Sequence, residues 1–142
     1  GKGGYDPLAP LPFGRSKLCD CSGFVAWTLG IPRHIDNPWY DEQNGGWVET
    51  TAIARDAQSP FGFFDLVKWS DARPGMVVVY GDLGKRQGHV GLISECGPDG
   101  PLLIVHCSTG NMRKFGDAIF ETAAGFMLDR GAIAARCAWV TA

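Results

Sequence analysis

The densest group of reactive side chains is Asp20-Cys21-Ser22-Gly23-Phe24, placed where a loop enters an apolar run. A thiol at a helix N-terminus meets unpaired backbone amides and the positive end of the helix dipole. Both favour thiolate over thiol, so Cys21 is expected to be nucleophilic near neutral pH. A cysteine nucleophile needs a base, and the base needs a polar group to hold its ring. Two histidines suit these roles: His89 opens the strand-like run Gly88-His89-Val90-Gly91-Leu92-Ile93, and His106 closes Leu102-Leu103-Ile104-Val105-His106. In an antiparallel hairpin the start of one strand lies beside the end of the next, so the two imidazoles should be neighbours. One can then pair with Cys21 while the other fixes its tautomer and orientation.

The elements that must position these groups follow from the pattern around them. Ser22 to Leu29 is an apolar run stopped by Gly30 and Pro32, as expected of a short buried helix, and Asp20 and Ser22 suit its N-terminal end. Asn37 to Gly46 reads as a turn-rich loop, and Trp47 to Gln58 resumes a helical pattern that ends before Pro60. From Pro74 the texture is β: Met76–Tyr80, His89–Cys96 and Leu102–Cys107 read as consecutive antiparallel strands. Asp117–Thr122 and Ala132–Val140 are weaker candidates, read as strands. Helices followed by closely spaced strands indicate an α+β fold rather than a parallel one. Residues Gly1 to Lys17, rich in Gly and Pro, read as an extended approach segment.

With 142 residues, 45% hydrophobic and 20% charged, the chain suits one domain, residues 1–142, with a packed core. Thirteen Lys and Arg against 15 Asp and Glu are scattered rather than gathered into a stripe, which argues against nucleic acid. No apolar stretch approaches the roughly 20 residues of a membrane-spanning helix. The chain does not begin with Met and shows no signal-peptide pattern, so a leader or upstream domain is expected to lie outside it. Of the five cysteines, Cys19 reads as a bystander, and Cys96 and Cys107 as buried core thiols. A zinc site drawn from Cys19, Cys21, His89 and Cys107 has the right ligand types but the wrong spacing. His34 reads as exposed, and Lys85 and Arg86 as a solvated turn. Trp39, Tyr40 and Trp47 suit either a groove wall or a loop packed on the core.

The segment Asp20-Cys21-Ser22-Gly23-Phe24, with Gly88-His89-Val90-Gly91, a later His106 and the turn and strand Arg73-Pro74-Gly75-Met76-Val77-Val78-Val79-Tyr80, resembles the NlpC/P60 cysteine peptidases over roughly Gly3 to Cys107. The resemblance implies a papain-like core, with N-terminal helices packed on an antiparallel sheet and no cofactor or metal. It also implies hydrolysis of amide bonds in bacterial peptidoglycan stem peptides, typically between D-glutamate and a diamino acid. Cys21 matches the nucleophile, His89 the base and His106 the orienting residue, with the oxyanion near the Cys21 amide. Asp20 and Ser22 match positions that help bind a free N-terminal amine. Such substrates imply action outside the cytoplasm, by a secreted, periplasmic or phage-delivered protein. The alternatives are an acyltransferase or deamidase using the same residues, or a non-catalytic zinc or binding module.

Overall fold

A computed structural model describes residues 4–5 and 18–138. Most of the expected approach segment Gly1–Lys17, and the end of the Ala132–Val140 strand, therefore lie outside the described residues. Within them the chain is α+β. A short strand β1 (Gly4–Tyr5) pairs in parallel with β2 (Leu18–Cys19). Helices α1 (Cys21–Leu29), α2 (Pro38–Asn44) and α3 (Thr50–Ala57) follow. Then come β3 (Phe64–Val67), β4 (Val77–Tyr80), β5 (His89–Gly97), β6 (Gly100–Cys107), α4 (Thr109–Phe115), β7 (Ile119–Ala123), α5 (Gly125–Asp129) and β8 (Ile133–Cys137).

Strands β3 to β8 form one antiparallel sheet in the order β3-β8-β4-β5-β6-β7. The consecutive run β4-β5-β6-β7 matches the meander expected from the strand spacing. The last strand, β8, crosses back to lie between β3 and β4. Strand β4 is central and buried along its whole length, which is why Val77-Val78-Val79-Tyr80 is continuously apolar rather than alternating. Val77, Val79 and Val90 face the helical layer, where Phe24, Val25, Ala52 and Ile53 pack. Val78, Ile93 and Ile104 face the opposite side, covered by Met127 of α5.

Helix α1 ends at Gly30, whose φ of 70° and backbone N–H to Ala26 and Trp27 close the last turn. Two sequence expectations need correction. The Asn37–Gly46 segment contains helix α2 rather than being only a loop: the Asn37 side chain accepts from the Trp39 N–H, Pro38 occupies the first turn and Gly45 closes the end at φ 60°. Turn-forming residues there act as caps. The following helix is shorter than expected because Trp47 is held in a bridge with His34, and Glu49 caps the helix with both carboxylate oxygens accepting from Thr51 and Ala52 N–H. Among the described residues no helix is long and apolar enough to cross a membrane.

Candidate active site

Cys21 is the first residue of α1, and the turn before it is fixed by four hydrogen bonds. Asp20 caps the helix, its Oδ1 accepting from the Gly23 N–H at 2.7 Å, while its carbonyl accepts from Phe24 N–H at 2.9 Å. The Arg33 guanidinium grips the same carboxylate with two hydrogen bonds, 2.6 and 2.9 Å long, the bidentate geometry that makes such pairs strong. Gly23 is required by this packing: a Cβ there would run into the Arg33 guanidinium and come within 2.8 Å of Asp20 Oδ1. Arg33 is a residue that the sequence reading missed. Its signal is the alternation Ile31, Arg33, Ile35, all buried, with 32, 34 and 36 exposed; a buried arginine in such a pattern needs an acid.

The histidines come from the sheet. β5 and β6 pair from Leu92↔Val105 to Gly97↔Gly100, and continuing that register puts Gly91 opposite His106, with His89 diagonal to it on the same face. His89 Nε2 and His106 Nδ1 lie 2.7 Å apart. Gly91 permits the approach, since a Cβ there would sit 2.9 Å from Ile104 Cδ1 and 3.4 Å from His106 Cβ. His106 Nε2 is in turn 2.7 Å from Thr122 Oγ1 on β7, and the Phe126 ring packs against both imidazoles. Cys21 and His89 line one cavity of about 700 Å³. The Val90 N–H, next along the chain from His89, donates to the Cys21 thiol.

This chain of bonds dictates a tautomer. If His89 is to accept a proton from Cys21 at Nδ1, its Nε2 must carry hydrogen and donate to His106 Nδ1. His106 then carries its hydrogen on Nε2 and donates to Thr122 Oγ1. Thr122 is a second residue that the sequence reading missed, because its role depends on the β6–β7 register, which pairs Ile104 with Thr122. Replacing Thr122 with valine removes the terminal acceptor with little change in shape. About one hydrogen bond's net contribution should be lost, slowing acylation of Cys21 by about fivefold to tenfold. Single-turnover measurement on Thr122→Val and Thr122→Ser should show the loss in the first and retention in the second; equal rates in all three proteins would remove Thr122 from the relay.

The electrostatics correct one sequence expectation. Burial pushes the Cys21 thiol up to about 12, and the Asp20 carboxylate adds to the rise. The Val90 and Ser22 N–H groups and Arg33 oppose it without reversing it. The helix end therefore supplies the expected stabilisation, but a thiol on a residue nine-tenths covered loses more from desolvation than two amides return. Burial also pushes His89 down to about 3, helped by His106 and Arg130, and His106 down to about 4. The resting pair is a neutral thiol beside a neutral imidazole.

A second cavity of about 410 Å³ adjoins the first, sharing Cys21, Gln87 and Gly88 with it. Asp20 and Ser22 line it as expected. The Asp20 charge is met by Arg33, though, and the Ser22 hydroxyl, 2% exposed, lies 3.4 Å from Asp20 Oδ1. Their capping role is in place; the carboxylates left toward the cavity are Glu49, itself capping α3, and Asp82, whose Oδ1 accepts from Gly88 N–H at 2.7 Å. Of the three aromatics, Trp47 walls this cavity with Arg33 stacked over its ring. Trp39 instead stacks on Phe61, and buried Tyr40 donates to Asp56 at 2.5 Å. His34 is exposed and bonded to the Gly45 carbonyl, outside both cavities.

Behind the nucleophile the Cys19 and Cys107 sulfurs lie 3.5 Å apart, both buried, tying β2 to β6. Cys96 contacts the Ala72 carbonyl on the far side of the sheet. Among the described residues no three His, Cys, Asp or Glu side chains converge as a metal ion would need. No protein-family model matches this chain, and a search of curated proteins finds no match.

Proposed function

We propose that the protein is a thiol hydrolase of papain-like architecture that cleaves amide bonds in peptidoglycan stem peptides through an acyl-enzyme on Cys21. The observation that carries this reading is that Cys21, at the start of α1, and His89 line one cavity, while His89 is joined to His106 and His106 to Thr122 by contacts of 2.7 Å. As Cys21 attacks the carbonyl carbon, its proton passes to His89 Nδ1, so that thiolate forms only as the C–S bond does. The Gly23 and Phe24 amides are taken up by Asp20, which leaves the Cys21 N–H for the developing oxyanion. His89 returns the proton to the departing amine, then draws one from water to release the acyl group.

The wall peptide rests on the resemblance of the Asp20–Phe24 and Gly88–Gly91 segments to NlpC/P60 peptidases, which suggests cleavage between D-glutamate and a diamino acid and action outside the cytoplasm. The cavity beside Asp20 supports a cationic group on the acyl side, since beyond the mutually paired Asp20 and Arg33 it is lined by two further carboxylates, Glu49 and Asp82, and no further cation. Mass spectrometry of purified muropeptides incubated with the protein, run beside Cys21→Ser, is the test. Cleavage only with intact Cys21 is expected, and the product masses name the bond; identical muropeptide profiles in the two samples would reject the wall substrate. Water, amine or ammonia exchange at the acyl carbon would separate a hydrolase from a transferase or deamidase.

A further inference from the structure

The two cavities on either side of Cys21 differ in charge. Because His89 must reach the nitrogen it protonates, the leaving fragment lies in the histidine-lined cavity and the acyl fragment in the one beside Asp20. The charged residues lining the histidine side are Arg130, Lys114 and Glu121, an excess of positive charge opposite to that on the acyl side. Arg130 follows α5 directly. It is aimed and held there: its Nη1 donates to the Tyr80 hydroxyl at 2.8 Å, and its guanidinium lies 5.8 Å from the Tyr80 ring centre and 5.6 Å from that of Phe126. Phe126 is the ring that packs on both histidines. Arg130 is also close enough to His89 to help push its basicity down. No acid pairs with Arg130 among the described residues, so a guanidinium with five N–H donors has one of them used and a cavity in front of it. A planar cation fixed against aromatic faces is preorganised for a carboxylate, which it can take with two parallel bonds.

We infer that Arg130 forms a carboxylate-binding subsite for the leaving-amine fragment, so that the protein selects amides whose amine side carries a free carboxylate. The inference rests on the reading of Cys21 and His89 as nucleophile and base, and it deepens that reading by specifying the substrate's leaving half. Lys114, which also lines the cavity, adds longer-range attraction, whereas Arg130 supplies the directional bonds. Amidation of that carboxylate removes the charge and one acceptor oxygen, and should therefore weaken binding.

The test is binding, so that it does not depend on turnover. Calorimetric titration of Cys21→Ala with the dipeptide diaminopimelyl-D-alanine, its carboxylates either free or converted to carboxamides, should show tighter binding of the free acid by about tenfold or more. Cys21→Ala carrying Arg130→Gln should lose that preference, and Arg130→Lys should keep part of it. Equal affinity for the two dipeptides, or a preference unchanged in Arg130→Gln, overturns the subsite. Circular dichroism of each variant separates a lost site from a lost fold. Cleavage of the corresponding intact stem peptides by the Cys21 protein is scored separately. Absence of cleavage with the binding preference intact would reject the peptidoglycan reading and leave the subsite standing; cleavage without any preference would do the reverse.

Discussion

Replacing His89 with alanine is expected to slow acylation of Cys21 by about a thousandfold or more, while the protein keeps its fold. The size follows from the state of the thiol. In a site with a standing thiolate, loss of the imidazole leaves a charged nucleophile behind. Here burial holds the Cys21 thiol up to about 12, so the proton must leave during attack, and without His89 only water can take it. His106→Ala should cost less and act on turnover rather than on binding, because it removes the bond that sets the His89 tautomer and leaves the base in place. Rapid-quench measurement of the acyl-enzyme, with substrate affinity measured in parallel, tests the order: His89→Ala largest, His106→Ala intermediate, Thr122→Val smallest. An acylation rate in His89→Ala within tenfold of the parent would mean that another group takes the proton.

The second large effect concerns pH. With the thiol up at about 12, only about one Cys21 in 10⁵ is thiolate at pH 7. Alkylation by iodoacetamide should therefore be slow at neutrality and keep rising to at least pH 10, with the modified residue located by peptide mapping. A plateau beginning near pH 5 would reveal a thiolate–imidazolium pair instead. Turnover behaves differently, because it needs the neutral pair. His89 and His106 lose their extra protons at about 3 and about 4, and the thiol keeps its own to about 12. The acid limb of kcat/KM should lie near pH 3 to 4, well below the ordinary histidine value; a limb centred near 6.5 would mean that water reaches both rings. Stability carries the same sign. The histidine basicity is depressed in the folded state, so the stability it governs is complete above about pH 6.5 and is lost as pH falls through the folded values. His89→Gln and His106→Gln together should flatten the acid fall of Tm in a thermal scan between pH 7 and 4.

What the residues themselves determined is local. The α1 helix, its Asp20 cap and the strands that carry the histidines follow from apolar runs, capping residues and turn glycines, all of which act over a few positions. The nearness of His89 and His106 followed too, because a hairpin joins them and its register needs no distant partner. Helix α2 was concealed because Asn, Pro and Gly serve both as turn formers and as caps, and a seven-residue helix offers little periodicity to tell the two apart. The short strand β3 and the helices α4 and α5 were missed for the same lack of length.

Tertiary structure decided the rest. The crossing of β8 between β3 and β4 joins the sheet through pairings about 55 to 75 residues apart, which no local pattern records. Arg33 on Asp20 and Thr122 on His106 are made by chain segments that meet only in the fold. The protonation of Cys21 depended on it most. Sequence puts the thiol at the positive end of a helix, which favours thiolate, but the desolvation that outweighs it arises only when the sheet and helices close around the sulfur.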